Sequence, residues 1–128
     1  MFIIKKYYYL YIENTKDINL NNVKKNKKIV IIYRNKGAKA DIEELIKFNK
    51  QCKKKAFKLY IANNLKLANK CKAHGVYVSA YNNKIYLNKK LDLIGSAHNY
   101  CEINNKIKQG CKTIILSRLF KTSYNYKK

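Results

Sequence analysis

Positive charge in this chain is carried by 29 Lys and Arg residues, and only Arg34 and Arg118 among them are arginine. A guanidinium is a planar fork that matches phosphate oxygens, whereas an ammonium is a point charge. Each arginine follows the end of an apolar run, Ile29–Tyr33 or Thr113–Leu116. The pair therefore reads as anion-binding. Lys36 would add a point charge beside Arg34. His98 is a candidate general acid/base, or a donor to an anion. Asn63, Asn64, Ser79, Ser96, Ser117 and Thr122 are the other polar residues at the ends of apolar runs. His74, just before Gly75, reads instead as a cap-side residue facing a helix dipole.

The carboxylates and cysteines offer less. Asp41, Glu43, Glu44 and Glu102 fall in first helical turns, Asp17 lies in the first connection, and Asp92 starts its run. Only Glu13 stands at a strand exit, so a two-carboxylate magnesium site is hard to assemble. Cys52, Cys71, Cys101 and Cys111 form no Cys-x-x-Cys pair and read as reduced packing residues, not zinc ligands.

What must hold these residues is a set of buried strands. The stretch Asp92–Thr122 shows the unit: an apolar run, a polar loop Ser96–Asn99, a helix, Gly110 and a second apolar run. Asn99 with Glu102 predicts a capping box. Ile103 and Ile107 predict the apolar stripe of the helix, and Gly110 its left-handed end. A crossover helix between two fully apolar strands implies a parallel sheet. Earlier in the chain, strands are expected at 6–12, 29–33, 57–61 and 76–78. Asp41 with Glu44 caps a helix to about Lys54, Leu65–Cys71 gives a short helix, and a weak one is expected over Ile18–Val23. Alternating strands and helices predict an α/β domain. The pattern alone does not separate an open doubly wound sheet from a (β/α) barrel. No Gly-x-Gly-x-x-Gly follows the first strand. In either architecture the site lies at the carboxyl ends of the strands.

The composition bounds the rest. A chain of 128 residues with 47% hydrophobic residues suits one domain with a core. No run suits a bilayer span, and the N-terminus lacks a cleavable leader pattern, so a cytoplasmic location and no membrane partner are expected. Net charge is +22. AT-rich coding accounts for abundant Lys, Asn, Ile and Tyr together. The lysines are spread along the sequence, so nucleic-acid binding is the lesser expectation: attraction without a site.

In order and spacing, several of these segments resemble the thiamine phosphate synthase family, which includes the thiazole tautomerases. Ile32-Tyr33-Arg34-Asn35-Lys36 is similar to its strand ending in Arg-x-Lys. Leu59–Ala68 is similar to its strand ending in Asn-Asp with a Leu-Ala helix. His74–Val78 is similar to its Asp-Gly-Val-His-Leu, and Ile94–His98 with the run Ile114–Thr122 to its Ser-x-His and Pro-x-Phe-x-Thr segments. The resemblance implies a partial TIM-like (β/α) barrel of about six parallel strands with crossover helices. It makes residues 1–128 a single domain lacking the last two βα units, with self-association through open barrel edges. It implies binding of an aminopyrimidine diphosphate and a thiazole phosphate, joined to thiamine phosphate with release of pyrophosphate. Arg34, Lys36 and Asn63 would hold the diphosphate, Ser96 and His98 would line the pocket, and Thr122 would meet the thiazole. In the tautomerase branch His98 would carry the proton. The family's magnesium aspartates appear here as Asn64 and Asn82, and the Pro of Pro-x-Phe as Arg118.

Overall fold

The structure is a computed structural model that describes residues 7–35, 41–86 and 90–116. The strands are β1 (Tyr8–Ile12), β2 (Ile29–Tyr33), β3 (Lys58–Ala62), β4 (Gly75–Val78), β5 (Asp92–Ala97) and β6 (Thr113–Leu116). The helices are α1 (Ile42–Lys54), α2 (Leu65–Lys70) and α3 (Tyr100–Lys108). All neighbouring strands are parallel, and their order in the sheet is their order in the chain. A doubly wound sheet reverses direction at a switch point. Here there is no reversal, so right-handed crossovers return on one side and the sheet curls. The result is a half-barrel of the TIM type.

Alternation along each strand then sorts the side chains. Ile31, Tyr33, Leu59, Ile61, Val76, Val78 and Leu93 face the helices in the main core. Val30, Ile32, Tyr60, Tyr77 and Ile94 form a second cluster on the concave face, with Tyr9, Ala62 and Ile115 against it. Strands buried on both faces explain the continuous apolar runs of the sequence.

The connections follow local chemistry. The weak helix expected over Ile18–Val23 is instead a pair of 3₁₀ turns, Thr15–Asp17 and Leu20–Asn22, capped by Asn14 and Asn19. Asparagine side chains there capture backbone N–H groups before an α-helix can form. Asp41 caps α1 by accepting from the Glu44 N–H at 3.3 Å, while the Glu44 carboxylate accepts from the Thr15 hydroxyl at 2.6 Å. Leu45, Phe48 and Cys52 bury the inner face of α1. Asn49, buried beside them, donates to the carbonyls of Cys71 and Lys72 at 2.9 and 2.8 Å and ties α1 to the end of α2. Burial pushes the Cys52 thiol up to about 12 and the Cys111 thiol up to about 11, so both are protonated packing residues.

Helix α3 departs from expectation. Ile107 is 58% exposed, and the side chain that reaches the sheet is Lys106, 0% exposed. Gly95 makes this fit possible. A Cβ there would lie 2.8 Å from the Lys106 Cδ and 2.9 Å from the Cys111 Sγ. The lysine stem lies over the glycine and acts as an apolar side chain. The helix is rotated by one position from the stripe that Ile103 and Ile107 suggest.

Gly75 opens β4 where the backbone of Asp92 and the Tyr60 ring close in, and a Cβ would sit 2.7 Å from that ring. Gly75→Ala is therefore expected to destabilise the fold by about 2 kcal/mol or more, seen as a lower midpoint in urea at unchanged slope. An unchanged midpoint would contradict the close β4–β5 packing.

Candidate functional site

The carboxyl ends of the strands share one rim, where Arg34, Asn63 and His98 leave strands and Ser96 is the last residue but one of β5. Arg34 follows β2, and its N–H donates to the Ile12 carbonyl at 2.8 Å. Its Nη2 donates to the Tyr81 hydroxyl at 3.3 Å, and the guanidinium carbon lies 6.0 Å from the Tyr81 ring centroid. The loop after β4 thus reaches across β3 to the end of β2.

Between them stands Asn63, in the left-handed region at φ 54. Asparagine tolerates that conformation better than most residues. Its N–H donates to the Tyr77 carbonyl at 2.8 Å. Its Oδ1 accepts from the Ser79 N–H at 3.0 Å, the Ser79 hydroxyl at 3.3 Å and Asn82 Nδ2 at 2.8 Å. The backbone donor fixes which way the amide points. Asn82 is equally committed: its Oδ1 accepts from the Lys84 N–H at 2.9 Å, and its Nδ2 also donates to the Tyr86 hydroxyl at 2.8 Å. Asn64 caps α2, accepting from the Leu67 N–H at 3.0 Å.

On β5 the strand runs further than the sequence suggests, to Ala97. Ser96 therefore lies within the strand, buried, and not in a loop. His98 follows, 38% exposed. The expected capping box is shifted. Asn99 accepts from the Glu102 N–H at 2.9 Å, but Glu102 Oε1 accepts from the His98 N–H at 2.7 Å. The same oxygen lies 3.2 Å from His98 Nδ1. An Nδ1–H donating to Glu102 leaves Nε2 as the basic nitrogen of the neutral ring.

Below the rim, Tyr11 and Tyr77 meet edge to face with centroids 5.7 Å apart. Burial, then the neighbouring Tyr77 hydroxyl, pushes the Tyr11 phenol far above its usual range. The floor is therefore aromatic, hydrogen-bonding and uncharged.

Sequence reasoning missed the support under the loop. The buried Lys106 Nζ donates to the carbonyls of Ala80 at 3.3 Å and Asn82 at 2.8 Å, and to Gln109 Oε1 at 2.8 Å. Gln109 Nε2 donates to the carbonyls of Asn82 at 2.8 Å and Lys84 at 2.7 Å. Burial lowers the Lys106 pKa, while Cys111 and Glu102 oppose the shift. The only sequence signal was a glycine in a strand, Gly95, opposite a long helical side chain.

Other expected site residues fall elsewhere. Lys36, Ser117, Arg118 and Thr122 lie outside the described residues, so the pairing of Arg34 with Arg118 is not placed. Glu13 is exposed after β1. Asp92 lies at the opposite end of its strand, where it accepts from the Tyr60 hydroxyl at 2.7 Å. His74 precedes β4 at that same end, its ring 5.4 Å from that of Tyr60. Magnesium does not fit the described residues. The amides of Asn64 and Asn82 are taken up in caps and turns, and no group of three His, Cys, Asp or Glu converges among the described residues. No described helix is long and apolar enough to cross a membrane.

No family model matches the sequence, and no curated protein matches it. Among solved structures, thiamine phosphate pyrophosphorylase from Pyrococcus furiosus superimposes with a TM-score of 0.64 at 16% identity, over 86% of this chain. The match spans 58% of that protein. The likeness is one of fold.

Because both Asn82 N–H groups are donated, Asn82→Asp sets a carboxylate against the Asn63 oxygen. A loss of about 1–3 kcal/mol in unfolding free energy is expected by denaturant titration. An isosteric aspartate that left stability unchanged would show that the amide network is not what holds this loop.

Proposed function

We propose that the carboxyl-end rim binds the diphosphate or phosphate of a small heteroaromatic molecule, as a divergent, metal-free relative of thiamine phosphate synthase. One observation carries this reading. The Asn63 oxygen is engaged three times, and its Nδ2 makes no hydrogen bond among the described residues. The amide thus offers donors and no acceptor, which suits phosphate oxygens. Arg34 supplies the guanidinium on the neighbouring strand. Lys36, Arg118 and Thr122 are proposed to complete the anion site from residues 36 and 117–122. Ser96 is proposed to line it.

The substrates this reading favours are an aminopyrimidine methyl diphosphate and a thiazole phosphate. In their coupling the thiazole nitrogen bonds to the pyrimidine methylene carbon, and pyrophosphate leaves with the electron pair of the broken C–O bond. Donors of the chain itself hold that leaving group, since the rim supplies amides where a magnesium site would need carboxylates. A second reading rests on His98. Its Nδ1 is oriented by Glu102, which suits a proton carrier in a tautomerase-like reaction.

Isothermal titration with pyrophosphate is expected to give saturable binding that magnesium does not strengthen. Arg34→Ala and Asn63→Ala should each weaken it about tenfold or more, the loss of a charge-assisted or buried hydrogen bond. Binding that required magnesium, or that ignored both substitutions, would overturn the reading.

A further inference from the structure

The lysines that are scattered along the sequence are gathered by the fold. In a consecutively wound parallel sheet all helix N-termini share one rim and all helix C-termini the other. Asp41, Glu43, Glu44 and Glu102 lie in first turns at the carboxyl-end rim, with Glu13 and Asp17 after β1. Of the chain's 7 acidic residues only Asp92 lies at the opposite, amino-end rim. Its carboxylate accepts from the Tyr60 hydroxyl.

Lysines converge on that amino-end rim. Two adjoining hollows of about 340 and 380 Å³ open there, sharing Asn49, Lys53 and Lys72. Lys58 and Lys90 line the first, with His74. Lys50 and Lys70 line the second. Among the described residues, no carboxylate lies within ion-pairing distance of Lys50, Lys53, Lys58, Lys70 or Lys72. The helix dipole explains lysines in last turns, such as Lys53 and Lys70. It does not explain Lys58, Lys72 and Lys90, which come from strand starts and connections. The basic segment 24–28 joins the same rim, where the Asn26 N–H donates to the Lys55 carbonyl at 2.9 Å. Tyr7 and Tyr8, 38% and 59% exposed, stand beside it, with Lys58 Nζ 5.6 Å from the Tyr7 ring centroid.

We propose that this amino-end rim is a second binding surface, and that it takes single-stranded nucleic acid. The lysines would follow the phosphodiester backbone, and the exposed tyrosines would offer faces for bases. A bilayer would instead need a cluster of apolar anchors on this face. Ile107, 58% exposed in the last turn of α3, is a single aliphatic side chain on this side, whereas Tyr100 and Leu116, exposed at 82% and 49%, lie on the opposite rim. The five-residue strand β3 separates the two rims by about 16 Å, twice the screening length of about 8 Å at physiological salt. The surface is therefore independent of the anion site around Asn63.

The test uses the full chain and a short single-stranded oligonucleotide, read by fluorescence anisotropy across a salt series. Lys53→Gln with Lys72→Gln should weaken binding roughly tenfold and lower the log–log salt slope by about 1.4. Lys16→Gln with Lys66→Gln removes the same net charge from the other rim and should change affinity less than about twofold. Arg34→Ala should leave it unchanged. With wild-type protein, the oligonucleotide should shift the His74 ring resonances and raise the His74 pKa, which burial and Lys58 hold low. Pyrophosphate should instead move His98, so failure of either site is seen separately. Equal weakening by both lysine pairs would reduce the effect to net charge and overturn the proposal. So would an oligonucleotide response at His98 alone, or binding to phosphatidylserine vesicles without binding to the oligonucleotide.

Discussion

Parallel pairing in unbroken sequence order is the constraint on which the molecule depends. It fixes the side on which every helix returns, and so the curl of the sheet. It also fixes polarity. Every strand delivers its last residue to one rim and its first to the other. Arg34, Asn63 and His98 come to share a rim because three strands point the same way, not because they are close in sequence. The same geometry sorts charge, since carboxylates stabilise helix N-termini and lysines helix C-termini. A chain with net charge +22 thereby acquires two chemically different ends.

The carboxyl-end rim is organised by amides. Asn63, Ser79, Asn82 and Tyr86 form a connected network in which the Asn63 oxygen and both Asn82 N–H groups are engaged, while the Asn63 Nδ2 is left to face outward. Such networks are stiff only when fully satisfied. Among the described residues no buried side-chain nitrogen or oxygen lacks a partner. A rim of this kind is preorganised, so a ligand meeting Asn63 finds its donors already oriented.

Much of this was legible in the sequence, for physical reasons. Ile29–Tyr33 and Leu59–Ile61 read as strands because a strand covered on both faces must be apolar throughout. Asp41 and Asn99 read as helix starts because orphan N–H groups need an oxygen, whereas Asn64, read as a strand-exit residue, also caps α2. What could not be read depends on three-dimensional partners. Ser96 looks like a loop residue until the pairing of β5 with β6 extends the strand through Ala97. Glu102 satisfies the His98 N–H in place of its cap residue, a choice made by loop geometry and not by spacing. Lys106 looks like a surface lysine because a hydropathy pattern scores the ammonium and not the stem. The segregation of lysines was invisible because sequence order does not record which rim a loop joins.

Lys106 also explains why asparagine suits position 82. The loop after β4 is held from below by an ammonium and an amide that converge on the Asn82 carbonyl. It is held from above by the Asn82 side chain, whose two N–H groups go to Asn63 and Tyr86. A carboxylate at Asn82 would keep the acceptor for the Lys84 N–H but lose both donors. It would then face the Asn63 oxygen, acceptor against acceptor, unless a cation came between them. The Lys106 amine beneath the loop, already donating to carbonyl oxygens, supplies the anchoring from the chain itself. Asn63, Asn82 and the buried lysine are thus parts of one arrangement, in which side-chain hydrogen bonds position the loop.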